Sequence, residues 1–213
     1  MTVGKHPRPH RLAVVATLLT LGLAALPARA ALLPVASLTV DRLDVVFAYP
    51  GFPMSYFEYH GPVGSPAPVV AMGSYQDLPG GIFSLQHTDG GVTADVTVYT
   101  TGDYGDPPPS ADADPAAHSL ENVDLSSLRV HGTMTGIFDG FAFDVPAGPP
   151  AAPTTHTYDP ATGEYHLGWI APVPGGWNLT VGFSGTAATV PEPASAGLIA
   201  TALFGLLALR RRT

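Results

Sequence analysis

The chain has 213 residues, no cysteine, 24 glycines, 23 prolines and a formal net charge of −8. Between residues 31 and 190 only Arg42 and Arg129 oppose sixteen acidic residues, a formal charge of −14, and no lysine occurs there. This composition excludes a nucleic-acid binder, which needs clustered cations to displace the counterions of phosphate, and it disfavours anionic lipid head groups for the same reason. Without cysteine there are no disulfides, thiol nucleophiles or cysteine-bound metals, and without lysine the stretch has neither a phosphate-loop nor a Schiff-base lysine.

Lys5, Arg8 and Arg11 precede an apolar run from Leu12 to Leu26, and Ala28-Arg29-Ala30 follows as a small-x-small cleavage site. That order predicts a signal peptide over residues 1–30, cut between Ala30 and Ala31. The apolar run is short for a permanent span. Export leaves residues 31–189 as one domain, long enough to bury a single core.

The interior reads as strands separated by turn residues. Ser37–Tyr49 is rich in Val and Leu, Met54–His60 alternates aromatic residues with others, and Gly81–His87 leads through Thr88-Asp89-Gly90-Gly91 into Val92–Thr100. Glycine accepts the positive φ of a tight hairpin, so this last pair is a predicted β-hairpin. Leu125–Thr135, Ile137–Val145, Thr154–Tyr158, Glu164–Ile170 and Trp177–Val190 complete the set, and no interior window of twelve residues has a helical period. The expected fold is all-β, an antiparallel β-sandwich with jelly-roll or Greek-key-like connections. Residues 102–118, with Pro107-Pro108-Pro109, and the Pro/Ala/Gly-rich residues 146–153 are expected to be surface loops.

Candidate chemistry in the interior is sparse, and no catalytic residue is assigned. Ser184, in Gly182-Phe183-Ser184-Gly185-Thr186, lacks the second glycine of a nucleophile elbow and falls inside a predicted strand. If residues 159–163 form a five-residue loop, His156 faces His166 across a hairpin at metal-sharing distance; a one-residue register shift removes the pair, and no third ligand is identified. Asp103, Asp106, Asp112 and Asp114 supply calcium-type oxygen ligands but lack the glycine and closing Glu of an EF-hand loop, so a solvated loop is expected. No metal or other cofactor is assigned. Tyr56, Tyr59, Tyr75, Tyr104 and Trp177 could stack on sugar rings if exposed, although packing on the sheets is expected for most of them.

The tail holds the densest signal. Val190 is followed by Pro191-Glu192-Pro193, then sixteen uncharged residues from Ala194 to Leu209, then Arg210-Arg211-Arg212 and Thr213. Proline fixes its own φ and disfavours helix in the residue before it, so residues 191–193 are expected to be extended, with a helix over 194–209. At ~1.5 Å per residue that helix reaches ~24 Å, a short transmembrane segment whose flanking arginines lie on the cytoplasmic side. The basic N-terminus lies on the same side, which places residues 31–190 outside.

This tail resembles the PEP-CTERM sorting signal of bacterial exported proteins. Pro191, Glu192 and Pro193 match its motif, residues 194–209 its hydrophobic helix and Arg210, Arg211 and Arg212 its basic cluster; residues 190–213 are the whole extent of the resemblance. The resemblance implies recognition by an exosortase and the export machinery, a passage through the inner membrane, and release or transfer to the cell surface or the extracellular polysaccharide matrix of a biofilm. The expectation for residues 31–189 is a non-catalytic structural or interaction component, with a lectin-like carbohydrate-binding module as the alternative. Exported material should begin at Ala31, so its intact mass should lack the Leu12–Leu26 run; retention of that run would show an uncleaved anchor.

Overall fold

A computed structural model describes residues 31–51, 55–136, 141–149, 153–173 and 175–190, excepting the side chains of residues 55, 56 and 141. The predicted signal peptide over 1–30 and the predicted transmembrane segment over 194–209 lie outside the described residues. Among the described residues no helix is long and apolar enough to cross a membrane.

The described chain is built from antiparallel strands: β1 Leu33–Ala48, β2 Ser55–Pro62, β3 Val69–Ala71, β4 Phe83–Asp89, β5 Val92–Thr100, β6 Ser110–Asp114, β7 Ser119–Asp124, β8 Leu128–Thr135, β9 Phe141–Pro146, β10 Thr155–Tyr158, β11 Glu164–Val173 and β12 Trp177–Thr189. Every run predicted from sequence overlaps one of them, and Met54 and residues 137–140 of the predicted runs lie outside the described residues. The hairpin at Asp89–Val92 is closed by Gly90 and Gly91, both at positive φ (55° and 83°), as a two-residue turn of the primed type requires.

The all-β, antiparallel expectation holds, but the sandwich does not describe the larger sheet. Its path runs β12-β11-β10-β7-β6-β1, and β1 pairs again with β12, so six strands close into a barrel. Strands β2 and β3 add to the free stretches of the outer edge of β1. A separate four-stranded sheet, β4-β5-β8-β9, packs beside it. The chain leaves the barrel twice, for β4–β5 and for β8–β9, and each time returns.

Closure depends on β1. Its 16 residues carry register shifts at Ala36 and at Asp41, and at each one the inward-facing parity switches. Val35 points inward before the first; Leu38 and Val40 do so between them; Leu43 is buried after the second. A bulge adds one residue to one strand, bends it and increases its twist. The first half of β1 therefore curls into the barrel, and the second half flattens against the four-stranded sheet. Gly185 lies opposite Val40 at the second bulge, where a Cβ would collide with the Thr39 carbonyl oxygen. The same carbonyl accepts the Tyr165 hydroxyl at 3.1 Å inside the barrel.

The barrel interior is filled by Leu38, Val40, Leu120, Tyr165, Leu167 and Phe183, all essentially inaccessible to water. Trp169 meets Phe183 edge to face at 5.2 Å, a geometry worth about 0.5–1.5 kcal/mol beyond the area it buries. Its indole N–H donates to the Ala147 carbonyl at 2.7 Å, which ties β11 to the segment that follows β9. Two predicted surface loops need correction: residues 147–149 of the 146–153 stretch are buried, with the Ala147 and Gly148 N–H groups donated to the Leu128 carbonyl. The stretch 102–118 contains β6, whose Ala111 and Ala113 are buried in the core, and it runs towards β7. Short strands of Asp, Ala and Ser carry no β-branched signal, and tertiary pairing makes them strands nonetheless.

Gly185→Ala should destabilise the fold by about 1–3 kcal/mol, the usual range for forcing a methyl group into a packed site. Urea unfolding followed by tryptophan fluorescence measures this; an unchanged midpoint would show that the bulge can yield.

Candidate functional site

The two ends of the β domain meet at one rim of the barrel. Because β1 and β12 are antiparallel neighbours, the start of one lies beside the end of the other: Val35 pairs with Thr189, and the Val190 N–H donates to the Pro34 carbonyl at 2.8 Å. On the opposite side Leu33 and Pro34 pair with Ala113 and Asp112 of β6. Val190 and Leu32 are both exposed at this rim (46% and 36%). Pro191, the first residue of the predicted sorting motif, is bonded directly to Val190. Pro191, Glu192 and Pro193, the cluster Arg210, Arg211 and Arg212, and Ala28 and Ala30 of the cleavage site lie outside the described residues; Ala31 is exposed just ahead of β1.

The outer face of the barrel wall carries a second group of polar side chains. Asp44 on β1 accepts Arg42 Nε and Nη2 at 3.1 and 3.0 Å and meets His60 Nδ1 on β2 at 2.8 Å. Partial burial pushes the Asp44 carboxyl up, but the bonds from Arg42 and His60 outweigh it and leave the group below the ordinary carboxylate range. The i, i+2 spacing of Arg42 and Asp44 puts both on one face of a strand, a signal present in the sequence; the pairing of Asp44 with His60 follows from the β1–β2 register. Beside them Gly168 and Gly182, paired across β11 and β12, floor an open groove whose walls include Thr155, Thr180 and the exposed Ile170. The arrangement offers hydroxyl, carboxylate and imidazole groups to a polar ligand. Both arginines of the domain are engaged: Arg129 Nε donates to Asp144 at 2.9 Å, and its guanidinium lies 3.8 Å over the Tyr104 ring.

Ser184 lies mid-strand on β12 with its hydroxyl 2.8 Å from His166 Nδ1. Among the described residues no carboxylate bonds to that imidazole, so the third member of an acid–base–nucleophile triad is missing. The conditional metal pair is overturned. The five-residue loop over 159–163 does not form: the Asp159 N–H donates to the Glu164 carbonyl, Tyr158 pairs with Tyr165 and His156 with Leu167, one residue away from the register that would oppose the histidines. Both tyrosines are buried in the barrel, and that demand sets the register. His156 therefore shares the inward face of Tyr158 and meets the Leu120 carbonyl, while His166 faces out. The aspartates do not converge either. Asp112 accepts Asn122, Asp114 accepts the N–H groups of Ala116 and Ala117, and among the described residues no three His or acidic side chains are grouped to hold a metal ion.

The aromatic candidates divide between packing and exposure. Tyr59 donates its hydroxyl to Pro62 O at 2.6 Å and meets His87 edge-on, and Trp177 stacks on Phe47 at 4.7 Å. Tyr75 donates to Asp106 O at 2.7 Å, and Tyr104 keeps the most exposed ring (60%) beneath Arg129. The side chain of Tyr56 lies outside the described residues.

Residues 189–212 match the PEP-CTERM protein-sorting motif. The match begins on Thr189, the last residue of β12. It implies an exported protein that is processed by an exosortase and reaches the cell envelope through a membrane intermediate. No curated protein and no solved structure matches the chain.

Two tyrosines give the domain an alkaline limit. Burial and the facing Asp144 carboxylate push Tyr99 from 10 up to about 12, and burial with Asp41 raises Tyr165 further above the phenol range. A raised folded-state pKa contributes stability that is intact below the unfolded value and lost as pH rises through the folded one. The urea midpoint should therefore fall between about pH 10 and 12, and Tyr99→Phe should flatten that fall; an equal slope in the variant would remove Tyr99 as a cause.

Proposed function

We propose that the chain is an exosortase substrate whose β domain works at the cell surface or in the extracellular polysaccharide matrix as a non-catalytic structural or interaction component. The observation that carries this reading is the sorting motif beginning on the final residue of β12. The chain passes from a strand held by Pro34 to the Pro-Glu-Pro motif with Val190 alone between, so cutting near the motif would release a domain that is already closed on itself. Residues 194–209 act in this reading as a temporary transmembrane helix, with Arg210 to Arg212 at its cytoplasmic end. The formal charge of −14 keeps the freed domain soluble and repels acidic polymers, so the polysaccharide it contacts is neutral or bridged by cations.

A lectin-like reading has one observation of its own, the groove over Gly168 and Gly182 beside Asp44 and His60. Carboxylate and hydroxyl groups on a sheet face suit the hydroxyls of a neutral sugar. Binding on a glycan array that is lost in Asp44→Ala would favour it over the structural role.

Glu192→Ala tests the sorting reading. Hydrophobicity of residues 194–209 drives insertion and Glu192 lies outside that segment, so the variant should insert like the parent. In a host with an exosortase the parent should lose the mass of its tail while the variant remains full length and membrane-bound. Equal processing of both, or of neither, would reduce the motif to a linker.

A further inference from the structure

The face that packs the barrel wall against the four-stranded sheet is not filled. Buried apolar residues fall into two clusters, one centred on the barrel and one formed by Phe57, Val92, Ala94 and Met134 near the hairpin ends. Between the sheets lies a cavity of about 350 Å³ lined by members of both clusters. Val45 and Val181 contribute from the barrel side, and Leu85, Val96, Val130 and Val145 from the other. Val45, Leu85, Val96, Val130 and Val145 are only half-buried, although each points between two packed sheets. Among the described residues every lining side chain is aliphatic, aromatic or Met, and the Tyr59 hydroxyl is already donated to Pro62 O. Protein interiors seldom leave voids larger than a water molecule, and an apolar void offers water no partners.

We propose that this cavity is a binding site for the apolar part of a small molecule, a medium-length acyl chain whose head group remains in solvent. Size and chemistry both select that class. An apolar cavity of ~150 Å³ accepts benzene, so one more than twice as large has room for roughly fourteen non-hydrogen atoms, enough for the apolar chain of dodecanoic acid with its carboxylate left outside. The described lining supplies no fixed charge to pair with an ion and no hydrogen-bonding row to hold a sugar or peptide backbone. The volume is also far too small for the sixteen-residue apolar run of the tail. An occupant would restore the contacts that the half-buried valines lack. This site is separate from the polar groove over Gly168 and Gly182, which lies on the outer face of the same wall.

Photolabelling of the full chain in lipid nanodiscs tests the proposal, with dodecanoic acid carrying a diazirine near its chain end as the probe. Peptide mapping should place saturable label on residues 92–98 and 128–134, and unlabelled dodecanoic acid should compete for it. Val96→Phe fills the cavity from the four-stranded sheet and Val45→Phe fills it from the barrel wall; in either, that label should drop at least tenfold while the β circular dichroism spectrum is unchanged. Label on the interior strands that is non-saturable, equally strong in a folded cavity-filling variant, or absent while the apolar tail is labelled from the bilayer, would overturn it. If neither variant folds, the competition experiment on the parent decides alone.

Discussion

The pairing of β1 with β12 is the constraint on which the rest of the molecule depends. It runs nearly the full length of both strands, closes the six-stranded barrel, and supplies two adjacent strands of the wall that faces the second sheet. One strand can serve both purposes only because it bends. The bulges at Ala36 and Asp41 switch its inward parity twice, so residues that alternate in the wrong phase for a single flat sheet are each placed against an apolar neighbour. Gly185 makes the second bend sterically possible, and the Tyr165 hydroxyl occupies the carbonyl beside it. Closure gives each of the six barrel strands a partner on both sides, while β2, β4 and β9 stay at the outside of their sheets.

The same pairing has a consequence for sorting. In an antiparallel pair formed by the first and last strands of a domain, the incoming and outgoing chain ends share one rim. Residues 34 and 190 are hydrogen-bonded there, so the predicted signal-peptide junction and the sorting motif are attached within a few residues of each other.

Charge and apolar surface are divided between the layers. The two arginines and their partner aspartates sit on outward faces, each guanidinium held by a carboxylate, so the acidic surface presents neither as an isolated cation. The inward faces of β4, β5, β8 and β9 are apolar to the point of leaving space between the sheets. The cavity lies between the barrel wall and the four-stranded sheet, where side chains from both fail to fill the space.

Much of the chain was legible without coordinates. The tail announced itself through local chemistry: two prolines, a length of uncharged residues matched to a thin bilayer, and three arginines, none of which needs a tertiary neighbour to be read. Strand positions and the Gly90-Gly91 turn were legible for a similar reason, since β-branched alternation and positive φ are properties of adjacent residues. What required the folded chain was everything that joins residues far apart. The barrel closure rests on bulges that break the period-2 pattern, so alternation could not reveal it; β6 and β7 are strands because they pair with each other and are set between β1 and β10. The separation of His156 from His166 turned on one residue of register, set by two buried tyrosines. The sequence by itself determined that the chain carries a sorting motif and that its body is β, because local residues encode both; the tertiary structure decided how the sheet closes, which side chains meet and where the interior is left open, because those depend on register that no single segment contains.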